Sequence, residues 1–83
     1  MRFDARVEVT LRDGIADPEG ATIERALPAL GFSGVTEVRA GRSFRLVLDA
    51  DSEAAARVLA QSLADRLLAN PVLERAAVEL AAR

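Results

Sequence analysis

The 83 residues suffice for one globular domain, 1–83, and the 51% hydrophobic content argues against a disordered chain. The net charge is −2, so the basic surplus typical of nucleic-acid-binding proteins is missing. The chain has no cysteine, histidine or lysine, which excludes disulfides, thiolate metal sites and most acid–base and nucleophilic chemistry, although a carboxylate or hydroxyl group still offers a route.

The first predicted element is a strand, because polar and apolar side chains alternate strictly over residues 2–12. One face is apolar and is expected to be buried. The other face carries charges of alternating sign, Arg2, Asp4, Arg6 and Glu8. Such a face is usually solvated, and its alternating signs also suit pairing across a self-association interface.

A helix is predicted to begin at Asp17-Pro18-Glu19-Gly20, with Asp17 as the N-cap and Pro18 at the first helical position. Apolar residues follow at helical spacing, ending at Leu30. Proline inside a helix removes a hydrogen bond, so Pro28 predicts a kink or an end near Ala26 or Leu27. Gly31 is the expected C-cap.

Two strands are predicted next, over 35–40 and 43–50, around a turn at Gly41-Arg42. A second helix follows, capped by Asp51 or Ser52 and ending at Ala69 or Asn70, because the residue before Pro71 disfavours the helical region. Its predicted apolar stripe is Ala56, Leu59, Ala60, Leu63 and Leu67. The last segment, 73–81, suits a strand or a helix.

Together these elements predict the order β-α-β-β-α-β. The corresponding fold class is α+β, a two-layer sandwich with a four-stranded antiparallel sheet and two helices on one face, in a ferredoxin-like arrangement. That fold serves many functions, so function has to be argued from particular residues.

Three stretches, taken together, resemble the PurS family over nearly the whole chain. The first pairs a V-x-L strand end, Val9-Thr10-Leu11, with a D-P-x-G helix start at Asp17 to Gly20. The second runs from Leu30-Gly31-Phe32 to Val38-Arg39-Ala40-Gly41-Arg42, and the third is Leu67-Leu68-Ala69-Asn70-Pro71-Val72-Leu73-Glu74. Many family members have lysine at the position of Arg42, and Pro28 is unfamiliar in the first helix.

The resemblance implies a small, non-catalytic subunit of phosphoribosylformylglycinamidine synthase in de novo purine biosynthesis. Such a subunit docks a large ATP-using synthetase subunit and a glutaminase subunit and supports ammonia transfer between them. The assembly is a carbon–nitrogen ligase that takes nitrogen from glutamine. This chain is then expected to have no activity alone and to bind no cofactor, with ATP and magnesium in the large subunit.

The candidate partner contacts are Asp17, Gly20, Arg39, Arg42 and Asn70; no catalytic, cofactor or metal residue is predicted. Each candidate also has a purely structural explanation. Asp17 and Gly20 belong to a helix start. Arg39 and Arg42 suit a solvated strand end or a carboxylate on a partner. Asn70 before Pro71 suits a helix end.

Location and assembly follow from composition. No apolar run approaches the roughly 20 residues that span a membrane, and the charged N-terminal residues do not suit a signal peptide. We therefore expect a cytoplasmic protein. A small core without disulfides favours self-association to a dimer or tetramer.

The alternative function is a stand-alone small-molecule-sensing regulatory module. An RNA-binding domain is disfavoured because only three phenylalanines are present.

Overall fold

A computed structural model describes residues 1–83 as three strands and two helices. A 3-10 turn follows the first helix, and a π-helical turn continues the second. The elements are β1 (Arg2–Leu11), α1 (Pro18–Ala26), the 3-10 turn (Pro28–Leu30), β2 (Gly41–Asp49), α2 (Glu53–Leu63), the π-turn (Ala64–Leu68) and β3 (Glu74–Ala82). None of the helices combines the length and the apolar character needed to cross a membrane.

The sheet is antiparallel with the order β2-β1-β3, so β1 lies in the centre. Val7 of β1 lies opposite Phe44 of β2 and Val78 of β3, and this register puts the apolar residues of all three strands on one face. The opposite face carries the charged residues of β1 and is exposed. The period of two in the sequence therefore separates a core face from an open face, as predicted.

The core forms where α2 packs on the apolar face of β1. Ala56, Ala60 and Ala64 of the helix are fully buried, as are Val7 and Val9 of the strand. Alanine has a short side chain, so the helix backbone comes close to the sheet. The helix lies over β1 and β3 more than over β2. Burying side chains such as these valines contributes roughly 1.5–3 kcal/mol each.

The predicted four-stranded sheet and the order β-α-β-β-α-β are wrong, because residues 35–40 form no strand. Glu37 has a φ of 57° and Gly34 has a φ of 79°, both in the left-handed region that interrupts an extended strand. The N–H groups of Val38 and Ala40 donate to side-chain carboxylates, which replace the backbone partners of a neighbouring strand. The α+β class is retained with a three-stranded sheet.

The predicted placement of two helices on one face is also wrong. Only α2 covers the sheet; α1 makes no substantial contact with any strand or with α2. We call residues 18–40 the arm, because they extend the molecule to 51 Å along its longest axis, against 27 and 14 Å along the others. Pro28 ends α1 at Ala26 and begins the 3-10 turn, which Gly31 closes with a φ of 92°.

The second helix reaches Leu68, and Ala69 is extended, close to the predicted end. The N–H of Ala69 donates to the carbonyl of Ala64 over 2.9 Å, five residues back, which defines the π-turn. This turn directs Leu68 into the core beside Val7 and Val9. Two residues of the predicted apolar stripe are exposed rather than packed on the sheet, Leu59 at 46% and Leu67 at 73%. The ambiguous last segment is the strand β3.

Candidate docking site

The carboxylate of Asp17 joins the start of α1 to the segment that precedes β2. One oxygen accepts from the N–H of Gly20 at 3.0 Å, the predicted N-cap bond, and the other accepts from the N–H of Ala40 at 2.8 Å. Glu24, about two turns further along α1 than Asp17, accepts from the N–H of Val38 at 2.9 Å. These contacts form what we call the arm latch, Asp17, Gly20, Glu24, Val38 and Ala40.

Electrostatics in the arm latch favour an ionised carboxylate. The N–H of Gly20, and then that of Ala40, lower the pKa of Asp17 below its ordinary value, with a smaller contribution from the charge of Arg39. A carboxylate that accepts two backbone bonds is held in one orientation. Asp17 therefore has a structural role in its own chain, as cap of α1 and as acceptor for the segment before β2.

Gly20 is buried in the arm latch because the backbone comes close to it. A Cβ atom at this position would lie 2.5 Å from the carbonyl oxygen of Val38 and 2.5 Å from Oδ2 of Asp17. Real Cβ atoms do not approach oxygen so closely. The glycine of the helix start is therefore required by packing within the chain.

A second group of contacts surrounds the carboxylate of Glu74 at the start of β3. Nη2 of Arg42 donates to both oxygens of Glu74, at 3.1 and 3.2 Å, and to the carbonyl of Leu68 at 3.1 Å. The N–H of Asn70 donates to Glu74 at 2.8 Å. This N–H, more than the charge of Arg42, lowers the pKa of Glu74. We call this group the Glu74 cluster.

Asn70 also shapes the turn that follows the π-turn. Its side-chain oxygen accepts from the N–H of Val72 at 3.1 Å, and its carbonyl accepts from the N–H groups of Leu73 and Glu74. The guanidinium of Arg12 fixes the same turn by donating to the carbonyl of Pro71 at 2.9 and 3.1 Å. Asn70 thus stabilises the turn between the π-turn and β3 through its backbone and its side-chain oxygen.

Four of the five candidate contacts therefore hold the chain together. A shallow depression of about 230 Å³ lies between the arm latch and the Glu74 cluster, and Asp17, Glu19, Arg42 and Glu74 line it. Arg39 is the exception, because its guanidinium makes a single contact of 3.5 Å, to the carbonyl of Leu11. Among the charged candidates, Arg39 makes the fewest hydrogen bonds within its own chain.

Sequence reasoning missed Glu24 and Glu74, which carry much of this geometry. Glu24 lies 14 residues before Val38, whose N–H donates to it, and Glu74 lies 32 residues after Arg42. No local sequence pattern connects either pair. Glu74 is the last residue of the third stretch on which the family resemblance rests, and this was the one feature of the sequence that could have identified it as a candidate. No group of three or more acidic side chains is placed to hold a metal ion.

Comparison with known proteins gives a consistent result. The family model for PurS, phosphoribosylformylglycinamidine (FGAM) synthase, matches residues 4–82. The PurS subunit of Synechocystis phosphoribosylformylglycinamidine synthase is 39% identical over 80 residues, covering 96% of this chain and 80% of that protein.

Solved structures agree with this match. Thermus thermophilus PurS has a TM-score of 0.87 and 37% identity, over 100% of this chain and 99% of that chain. A chain of PurLQS from Thermotoga maritima has a TM-score of 0.89 and 31% identity, over 98% and 99% of the two chains. The chain therefore belongs to the PurS family, the small subunits of phosphoribosylformylglycinamidine synthase in purine biosynthesis.

Proposed function

We propose that this chain docks the glutaminase subunit to the ATP-dependent synthetase subunit and so supports the transfer of ammonia between them. The observation that carries the proposal is the match over 98% of the chain to a component of a PurLQS structure. Such a role needs surfaces of fixed shape rather than catalytic groups. The arm latch and the Glu74 cluster supply that fixed shape.

The physical reason for a docking subunit is positional. Ammonia released by a glutaminase is lost to solvent unless the two active sites are held in a fixed relation. This chain has no cysteine to act as a glutaminase nucleophile, so its contribution is placement. The synthetase subunit binds ATP and magnesium in this scheme, and ammonia supplied from solution reaches it without docking.

The test is reconstitution from the three purified subunits, with product formation followed at saturating glutamine or at saturating ammonium. Leaving out this chain is expected to abolish most glutamine-dependent turnover while sparing much of the ammonia-dependent turnover. Equal glutamine-dependent rates with and without the chain refute the docking role. The isolated chain serves as the control, and is expected to release no glutamate and hydrolyse no ATP.

We also propose that the chain self-associates to a dimer or tetramer. Nine of its 83 residues are buried, and no cysteine is present to form a disulfide. Small scaffolds of this kind commonly rely on association. Light scattering at micromolar concentration checks this, and a mass near 8.8 kDa at all concentrations contradicts it.

A further inference from the structure

One face of the sheet is left uncovered by the rest of the chain. The strand register places on it the even-numbered residues of β1 and the odd-numbered residues of β2 and β3, together with Arg83. We call this surface the open face. The helix α2 packs on the opposite face, and α1 makes no substantial contact with any strand. The charged side chains of the open face are all exposed.

The open face has a charge balance opposite to that of the whole chain. It carries five arginines against four acidic residues, whereas the chain as a whole has 11 basic and 13 acidic residues. Two copies of this face have the same net sign, so charge opposes their direct contact. Complementary charge favours an acidic surface as the partner of the open face.

Arg6 of β1 and Arg45 of β2 lie directly opposite each other on the open face. Like charges in such a cross-strand pair destabilise a sheet. Nη2 of Arg6 donates to Glu79 at 2.7 Å, whereas Arg45 takes part in none of the five ion pairs of the chain. Asp4 and Glu8, the acidic residues diagonal to Arg45, are not paired with it either. The chain therefore keeps a pair of arginines whose second charge is not neutralised internally.

A depression of about 410 Å³ lies beside this pair of arginines. Its lining on the open face consists of Asp4, Arg6, Arg45, Val47, Glu79 and Ala81. Val47 and Ala81 are the two register neighbours of Asp4, and Val47 is 43% exposed. Part of the lining is therefore apolar, and it lies next to two guanidinium groups.

A carboxylate on a hydrocarbon stem matches this arrangement. A guanidinium has five N–H donors in a planar fork, and Arg6 commits one nitrogen to Glu79, so donors of both Arg6 and Arg45 remain. A carboxylate between the two groups accepts from both and offsets their mutual repulsion. The apolar lining suits the methylene groups of an aspartate or glutamate side chain better than it suits an inorganic anion.

We propose that the open face docks an acidic segment of another subunit of the synthase. One carboxylate of that segment lies between Arg6 and Arg45, and an apolar part of the segment packs on Val47 and Ala81. The proposal rests on the docking role proposed above and specifies a surface and the chemistry of its partner. The unfavourable position of Arg45 opposite Arg6 is then explained, because the two charges share one anion in the assembled synthase.

Arg45→Ala and Arg2→Ala form a matched pair of variants. Both residues are exposed arginines of the open face without an ion pair, and only Arg45 lines the depression. Fluorescence anisotropy of the labelled chain measures its association with the other two purified subunits at several salt concentrations. Arg45→Ala is expected to raise the dissociation constant about tenfold, the effect of losing a charged hydrogen bond. It is also expected to weaken the salt dependence, whereas Arg2→Ala leaves both near wild type.

The stability of the isolated chain separates a docking role of Arg45 from a structural one. Truncation of this side chain removes a cross-strand repulsion, so the thermal midpoint of Arg45→Ala is expected to stay the same or rise. A lower midpoint accounts for weaker assembly through partial unfolding and overturns the docking assignment. Arg45→Lys keeps the charge without the planar fork and is expected to recover only part of the lost affinity.

Three other results overturn the assignment while the docking function stands. In the first, Arg45→Ala assembles like wild type with the same salt dependence. In the second, Arg45→Ala changes the mass of the isolated chain in light scattering, which assigns the open face to a second copy. In the third, calorimetry shows that the isolated chain binds inorganic phosphate below millimolar concentration and that Arg45→Ala does not, which assigns the depression to a small anion. The docking function itself fails when omission of the chain leaves glutamine-dependent turnover unchanged, whatever the result with Arg45→Ala.

Discussion

The carboxylate of Asp17 and the N–H of Ala40, 23 residues apart in the chain, lie 2.8 Å apart in a hydrogen bond. This bond fixes the position of α1 relative to the residues that precede β2. Without a strand at 35–40, the segment before β2 has no sheet partner, and side-chain carboxylates take that role. Asp17 thus caps α1 and also positions the segment before β2, and the conformation of the arm depends on both hydrogen bonds.

We expect Asp17→Asn to loosen the arm without unfolding the sheet. An amide has one acceptor oxygen, so it cannot accept from Gly20 and Ala40 as the carboxylate does. Hydrogen exchange of these two amides is expected to accelerate about fivefold or more, the effect expected for a lost cap. Asp51→Asn is the matched control, since Asp51 is exposed. Unchanged exchange in Asp17→Asn contradicts the role of the latch.

Acid is expected to weaken the fold through Asp17 and Glu74. Both carboxyls have a lowered pKa in the folded chain, because backbone N–H groups stabilise the charged form. Their contribution to stability is therefore full at neutral pH. It declines as the pH falls below about 4, where the unfolded chain takes up protons, and it is lost once the pH passes through the lowered folded values.

Urea unfolding midpoints measured from pH 7 to pH 2.5 check this expectation. Wild type is expected to lose more stability over the acidic range than the double variant Asp17→Asn/Glu74→Gln, so that the two curves converge at low pH. Parallel curves contradict the assignment. Glu53→Gln, a change at an exposed carboxyl, is the control for altering the net charge.

Gly20→Ala is expected to destabilise the chain by about 1–3 kcal/mol, the range for overpacking. The sign of this change in the free energy of unfolding is informative, because replacing glycine by alanine inside a helix normally stabilises the helix by up to about 1 kcal/mol. Here the added Cβ meets a backbone carbonyl oxygen, that of Val38, which cannot rotate away. Chemical denaturation measures the difference, and a stabilised variant shows that the close approach is relieved.

Features that depend on neighbouring residues in the chain, such as helix caps, helix ends and the two faces of a strand, could be predicted from the sequence. The cap at Asp17 was predicted correctly, and the structure selects Ser52 from the two candidate caps, Asp51 and Ser52. It also selects an end of α1 at Ala26 over a kink at Pro28. The two-faced strand β1 was predicted correctly as well. The strand predicted over 35–40 was wrong, because an alternating pattern of side chains does not reveal that Glu37 adopts a positive φ. The hydrogen-bond partners of this segment are carboxylates on a distant helix.

The candidate site divides in the same way. Motif resemblance selected Asp17, Gly20, Arg42 and Asn70, and the structure shows that all four hold the fold. Which carboxylates they meet was not predictable, because Glu24 and Glu74 are distant in sequence. The outward position of Leu67 depends on the π-turn. Helical periodicity alone assigns every fourth residue to one face and cannot place that turn.

Arg39 and Arg42 are expected to behave differently. Arg42→Ala removes the contacts to Glu74 and Leu68 and is expected to lower the thermal midpoint. Arg39→Ala removes one 3.5 Å contact and is expected to leave that midpoint unchanged. In the reconstituted synthase, Arg39→Ala is expected to reduce glutamine-dependent turnover at limiting subunit concentration, if its charge meets a partner carboxylate. Normal assembly of Arg39→Ala removes that residue from the docking surface.

Leu67→Ala and Leu68→Ala give the most direct test of the π-turn. In a regular α-helix Leu67 lies on the same side as Ala56 and Ala60, so its truncation opens a cavity. With the π-turn, Leu68 packs beside Val7 and Val9, whereas Leu67 is exposed. We therefore expect Leu68→Ala to cost about 2 kcal/mol. Leu67→Ala is expected to change stability by less than about 0.5 kcal/mol. Denaturation is measured at the same protein concentration for both variants, because self-association also changes the apparent stability. The reverse order of costs shows that the helix continues past Ala64 as a regular α-helix, without the π-turn.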